Sequence, residues 1–226
     1  MSFLGNVLGK ISEKYPFLYC LTSDDVDSSH SEQVLTLCEA GIRLIQLRAK
    51  KLNKTDLLYE ARLAKRICED FKAKLIINDH VEIANECDAH GVHLGIQDMS
   101  VSKARNLLGD SRIIGLTIHS KAEISQEGLP DVDYIGMGPF RKSETKTDLE
   151  AKLSLKDFSE MINSVHPVPV YLIGGLAIED LRLCEQLGNN GIALCSALTD
   201  GKSLDTSAIT NYVNKASDLE KNVVLA

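Results

Sequence analysis

Short apolar runs recur along the chain near residues 17–22, 43–48, 73–78, 91–95, 112–117, 132–137, 168–173 and 191–195. Continuous runs of this length, without strict alternation, suit strands buried on both faces. Between them apolar residues return at helical spacing over 31–40, 54–71, 80–88, 100–108, 120–126, 154–164, 178–187 and 206–220. Several of these segments open on helix-start residues, such as Ser100 after Asp98 and Thr55-Asp56 before Leu57-Leu58. Strand and helix therefore alternate eight times. With right-handed crossovers, that order predicts an α/β protein of the (β/α)8 TIM barrel class, and an open doubly wound sheet is the competing arrangement.

Most of the apolar runs end in a small polar or glycine-bearing cluster. Arg43-Leu44-Ile45 runs into Gln46, Arg48 and Lys50, Leu75-Ile76-Ile77 into Asn78-Asp79, and Val92-His93-Leu94 into Gly95, Gln97 and Asp98. Ile113-Ile114-Gly115 leads to Thr117 and His119, Tyr134-Ile135-Gly136 to Ser143, Thr145 and Lys146, Tyr171-Leu172-Ile173 to Gly174-Gly175, and Ile192-Ala193-Leu194 to Ser196. A parallel barrel collects its chemistry at the carboxyl ends of its strands, so this layout gathers all these groups around one mouth.

Composition narrows the reading. With 226 residues, 44% of them hydrophobic, the chain carries material for one core, read as a single barrel domain over 17–226 behind a short N-terminal extension, 1–16. The formal net charge of −7 argues against a nucleic-acid-binding surface and gives no reason to expect an anionic membrane partner. Six cysteines without a C-x-x-C pair suit a reduced, cytoplasmic protein. No signal-peptide pattern opens the chain, and no run approaches the ~20 apolar residues of a membrane span. A homo-oligomer is left open.

Several groups at the strand ends carry recognisable chemistry. Gln46, Arg48 and Lys50 alternate with Leu47 and Ala49, which on a strand would turn all three to one face and make a site for a polyanion such as pyrophosphate. The alternative is an exposed edge strand with solvated charges. Asp79 and Asp98 end successive strands, about 4.8 Å apart, and two carboxylates so placed can share a hard cation such as Mg2+. Each could instead cap a following helix, near His80 and at Ser100. Ser143, Thr145 and Lys146 offer hydroxyls and an ammonium to a phosphate, and Gly174-Gly175 and Cys195-Ser196 follow strands seven and eight, where barrels often hold phosphate on backbone N–H groups. Gly174-Gly175 could equally form a tight turn requiring positive φ. His93 reads as a core histidine rather than a ligand; His119 could reach the mouth. Tyr19 and the other aromatics read as packing. There is no H-E-x-x-H and no G-x-S-x-G.

Taken together, Gln46-Leu47-Arg48-Ala49-Lys50, Ile77-Asn78-Asp79, the run from Gly91 to Asp98, Gly115-Leu116-Thr117-Ile118-His119, Ser143-Glu144-Thr145-Lys146, Ile173-Gly174-Gly175 and the run from Gly191 to Ser196 resemble the thiamine phosphate synthase family, in order from about Tyr19 to Leu198. The resemblance implies a (β/α)8 transferase that joins a hydroxymethylpyrimidine diphosphate to a thiazole phosphate with Mg2+. By position it puts Gln46, Arg48, Lys50, Asn78, Asp79 and Asp98 around the pyrimidine diphosphate and its metal, with Thr117 beside them and Lys146 on the pyrophosphate. Ser143, Thr145, Gly175 and Ser196 would hold the thiazole phosphate. Arg48, Lys50, Thr117 and Lys146 are the expected catalytic groups, and Asp79 and Asp98 the metal ligands. Thr117 stands where the family usually has serine, and Ser143 where it usually has threonine. Two alternatives share the scaffold: a thiazole tautomerase-like relative using His119, and a non-catalytic sensor of phosphate ligands that has no need of the aspartate pair.

Overall fold

The computed structural model describes residues 15–124, 129–141 and 153–225. Eight parallel strands form a closed barrel in sequence order: β1 (Leu18–Leu21), β2 (Leu44–Leu47), β3 (Lys74–Asn78), β4 (Gly91–Leu94), β5 (Ile113–Ile118), β6 (Tyr134–Met137), β7 (Val170–Leu172) and β8 (Gly191–Leu194). Closure is made by β8 pairing with β1, Leu18 against Ile192 and Cys20 against Leu194. That pairing removes both edges and excludes the open doubly wound sheet.

Around the barrel lie α1 (His30–Glu39), α2 (Lys54–Asp70), α3 (Val81–Glu86), α4 (Val101–Leu108), α5 (Lys121–Ile124), α6 (Leu155–Val165), α7 (Leu183–Leu187) and α8 (Thr206–Leu225). Local chemistry fixes several starts. Ser29 with Glu32 and Ser154 with Asp157 form capping boxes at α1 and α6. At α2 the cap is Asn53, whose side chain accepts from the N–H groups of Thr55 and Asp56, so the start lies ahead of the Thr55-Asp56 pair that the sequence suggested. The segment expected as one helix over 178–187 divides into a 3-10 turn, Ile178–Arg182, and α7, which ends at Gly188 with φ +70°. A short hairpin, β9 (Thr199–Asp200) and β10 (Ser203–Leu204), precedes α8. Among the described residues no helix is long and apolar enough to cross a membrane.

The strands are apolar on both faces because they serve two cores. Outward residues such as Cys20, Ile45, Leu75, Val92, Ile114 and Ile135 pack under the helices. Inward residues Tyr19, Leu44, Ile76, Ile113, Tyr134, Tyr171 and Ala193 form a separate cluster inside the barrel. Three tyrosine rings fill its middle, with centroids 5.3–5.6 Å apart. Tyr15 joins this cluster, its carbonyl accepting from Asn190 Nδ2, while Tyr171 OH donates to Pro16 O. Residues 15 and 16 thus close the end of the barrel opposite the mouth.

Candidate active site

The exit of β2 is built on the exit of β1. β2 stops at Leu47, so the strand alternation that aligned Gln46, Arg48 and Lys50 does not extend to the last two. Their backbone is held from the side. Thr22 Oγ1 accepts from Arg48 N at 3.0 Å, and Asp24 Oδ2 accepts from Lys50 N at 2.9 Å. Both acceptors are pinned by His30, whose Nδ1 is 2.8 Å from Thr22 Oγ1 and whose Nε2 is 3.3 Å from Asp24 Oδ1. Thr22 and His30 are buried. Lys50 Nζ reaches to 3.8 Å from Asp79 Oδ2, across to β3. Burial raises the Cys195 thiol above its ordinary range, and the charge of Arg48 works against that rise. Gln46 is buried within the barrel and donates from Nε2 to Tyr19 OH at 2.6 Å.

Asn78 and Asp79 lie at the end of β3, and Asp98 in the loop after β4. Asp79 has φ +64° and its N–H donates to His93 O. Its carboxyl is held above the usual carboxylate range, first by burial and then by the neighbouring Asp98 charge, with Lys50 opposing both. The capping alternative fails for both aspartates: the caps of α3 and α4 are His80 and Ser100, and Asp98 Oδ2 accepts from Gly95 N within its own loop. Two neighbouring carboxylates beside one ammonium suit Mg2+, which takes one or two protein carboxylates and fills its other positions with phosphate and water. Among the described residues no group of three or more acidic, histidine or cysteine side chains is arranged to hold a metal, so other ligands would have to come from outside this set.

His93 lies flat against Tyr134 in the barrel, with ring centroids 5.5 Å apart, and its nitrogens meet Tyr134 OH at 2.9 Å and Thr117 Oγ1 at 2.7 Å. Burial pushes its pKa down to about 4. It is a satisfied core histidine, as its apolar surroundings suggested, but it also touches a residue of the mouth. His119 is exposed, with Nδ1 2.5 Å from Gly138 O and its N–H donating to Glu123.

On the far side of the mouth, Gly174 and Gly175 adopt φ +89° and +65°. A Cβ on Gly175 would stand 2.8 Å from Arg141 Cβ, so the pair serves a tight turn. Arg141 locks that turn, donating to Gly175 O and pairing through both terminal nitrogens with the buried Asp180, at 2.5 and 2.7 Å. Ser196 is exposed at the start of a 3-10 turn after β8. Ser143, Thr145 and Lys146 lie outside the described residues.

Sequence reasoning missed Thr22, Asp24, His30, Arg141 and Asp180 as supports of the site. A signal for the first two was present: Leu21 runs into Thr22-Ser23-Asp24, the same polar ending noted after the other strands.

Comparisons with known proteins point one way. The profile of the family described as Thiamine monophosphate synthase matches residues 18–198. The thiamine-phosphate synthase of Flavobacterium psychrophilum is 34% identical over 179 residues, 76% of this chain and 87% of that protein. That of Dictyoglomus thermophilum is 33% identical over 189 residues, 83% and 84% of the two chains. Among solved structures, thiamine phosphate pyrophosphorylase from Pyrococcus furiosus superposes with a TM-score of 0.76 at 23% identity, covering 95% of this chain and 99% of that one, which shows the shared barrel. With the profile spanning most of the chain and relatives above 30% identity along it, the chain belongs to the thiamine monophosphate synthase family.

Proposed function

We propose that the described mouth is where this transferase of thiamine biosynthesis couples hydroxymethylpyrimidine diphosphate to hydroxyethylthiazole phosphate, forming thiamine phosphate and releasing pyrophosphate. The observation that carries the reading is the Asp79–Asp98 pair with Lys50 3.8 Å from Asp79, an arrangement suited to a metal-bound diphosphate. In the reaction the bond from the pyrimidine methylene carbon to the diphosphate oxygen breaks, the oxygen leaves with the electron pair, and the thiazole nitrogen forms the new bond to that carbon. No protein nucleophile is required. Mg2+ held by Asp79 and Asp98 would supply charge neutralisation at the departing pyrophosphate. Arg48, Lys50 and Lys146 stabilise the same developing charge electrostatically. Gln46, Asn78 and Thr117 hold the pyrimidine half, and Ser143, Thr145, Gly175 and Ser196 take the thiazole phosphate. Asp24, Thr22 and His30 keep the Arg48–Lys50 backbone in register without touching substrate.

The catalytic domain is read as one barrel from residue 17 onward, with small molecules as its partners and no nucleic acid. A cytoplasmic setting is supported by six cysteines that are all free. The direct test mixes purified protein with both substrates and Mg2+. Thiamine phosphate and pyrophosphate should appear in equal amounts, and their absence with intact, folded protein would overturn the reading.

A further inference from the structure

Five side chains form one hydrogen-bonded chain through the barrel interior and join two residues of the mouth that stand three strands apart. Gln46 Nε2 lies 2.6 Å from Tyr19 OH, Tyr19 OH 2.7 Å from Tyr134 OH, Tyr134 OH 2.9 Å from His93 Nδ1, and His93 Nε2 2.7 Å from Thr117 Oγ1. With the Gln46 amide oriented so that Nε2 meets Tyr19, counting protons fixes the direction of each bond. An amide nitrogen only donates, so Tyr19 oxygen accepts from Gln46. Tyr19 is 1% exposed, and the acceptor its hydroxyl reaches is Tyr134 oxygen. The Tyr134 proton then goes to His93 Nδ1, which must be bare. His93 is thereby neutral with its proton on Nε2, and that N–H donates to Thr117. An imidazolium would donate to Tyr134 as well and leave one of the two tyrosine protons, that of Tyr134 in this direction, unpaired, which is costly in a sealed interior.

We infer that this chain sets the hydrogen-bonding polarity of the substrate site: it commits Gln46 to show the mouth a carbonyl oxygen and Thr117 to show it a hydroxyl proton, with Tyr19, Tyr134 and His93 as positioning residues. Among the described residues Gln46 Oε1 has no hydrogen-bond partner, and Asn189 Oδ1 is the sealed side-chain atom without one, so the Gln46 oxygen is not sealed away. Thr117 spends a lone pair on His93 and keeps its proton for a ligand. The opposite sense is also fully paired, but it requires the Gln46 amide to turn over and every proton to reverse together. The two ends are therefore coupled, because any mixed state leaves a buried donor or acceptor unmade. Space for the chain is built into the strands: a Cβ on Gly115 would lie 2.1 Å from Tyr134 Cζ and 2.6 Å from His93 Nδ1, and one on Gly136 3.1 Å from His93 Cε1.

The inference rests on the coupling reaction above only where activity is its readout, and the first test needs no substrate. Nitrogen-15 NMR of the His93 ring in the free protein should show the neutral Nε2–H tautomer. Gln46→Glu, whose carboxylate only accepts, should convert it to Nδ1–H, and Tyr134→Phe, which keeps the ring packing, should release the tautomer preference. An Nδ1–H ring or an imidazolium in the unmodified protein, or a tautomer indifferent to both substitutions, would overturn the chain. The second test is kinetic. Tyr134→Phe should lower kcat/KM for coupling roughly tenfold, and Thr117→Val should lower it further, but the double variant should be little worse than Thr117→Val alone, since both cut one chain. Losses that multiply instead would make Tyr134 a packing residue only. If the unmodified protein fails to couple the substrates, the proposed function falls while the NMR result still decides the chain.

Discussion

At the scale of single residues, Asp79 concentrates the most unfavourable local terms. A non-glycine residue with φ +64° is uncommon, and its carboxyl is also partly buried beside another carboxylate. Such a position is retained where a ligand repays the cost. Asp79→Asn keeps a side chain that tolerates the left-handed conformation and removes the charge, so coupling should fall by about 10²-fold or more while the melting temperature holds or rises. Mg2+-dependent turnover near the original rate would remove Asp79 from the metal site. His119 provides the contrast. Its ring is engaged by Gly138 O at the rim, so His119→Gln should keep most of the coupling rate, whereas a proton-shuttling histidine of the tautomerase kind commonly contributes about 10²–10⁴-fold. Steady-state rates of the variant discriminate the two. Asp79 and Asp98 are legible as candidates because one follows β3 directly and the other lies in the short loop after β4. The Gln46 chain is not, because Tyr19, Tyr134 and His93 come from three strands, and nothing in a linear sequence states that their polar tips meet inside the barrel.

At the scale of elements, the mouth depends on neighbouring strand exits bracing one another. The β1 exit carries the β2 exit through Thr22 and Asp24, so Asp24→Ala should raise KM for the pyrimidine diphosphate roughly tenfold with a smaller change in kcat, as expected when a hydrogen-bonded support and not a reacting group is lost. An unchanged KM would separate this brace from substrate binding. Across the barrel, Asp180 ties the β6 and β7 exits together through Arg141. Burial alone would raise the Asp180 carboxyl; the Arg141 guanidinium and the Ala177 N–H outweigh it and hold the carboxyl below its ordinary range. A depressed folded-state pKa contributes stability above the unfolded value near 3.9, and that contribution is lost as pH falls below it towards the folded value. Asp180→Asn should cost about 2 kcal/mol near neutral pH, less than a fully buried pair because Arg141 is half exposed, and the gap to the unmodified protein should narrow in acid. Urea titrations at several pH values measure both. The element order itself is legible, since buried parallel strands are apolar throughout and the intervening helices keep their own period. The division of 178–187 and the Asn53 cap are not, because both turn on backbone angles at one or two residues.

At the scale of the whole molecule, closure changes what a local substitution can do. In an open sheet a strand near the edge can drift to relieve a clash; here β5 is hydrogen-bonded to β4 and β6, and the ring of eight returns on itself through β8 and β1. The interior is filled by Tyr19, Tyr134 and Tyr171 with His93 stacked among them. Gly115 lies on the inner face where that layer is tightest. An alanine methyl there would have to displace the Tyr134 ring, Cζ being 2.1 Å away, and that ring is buried and already packed against Tyr19 and Tyr171. Eight apolar runs make the barrel class readable from the chain, yet they do not say which glycines stand under rings, because that follows only from the register set by closure. Gly115→Ala should therefore cost about 3 kcal/mol or more and lower the melting temperature by roughly 6 °C or more. Gly188 is the control: its φ is +70° in the left-handed helical region but a Cβ there meets nothing within 4 Å, so Gly188→Ala should show only the backbone penalty, about 1 kcal/mol. Equal losses at the two positions, measured by reversible denaturation, would mean that the barrel interior repacks freely and that its tyrosine layer does not constrain β5.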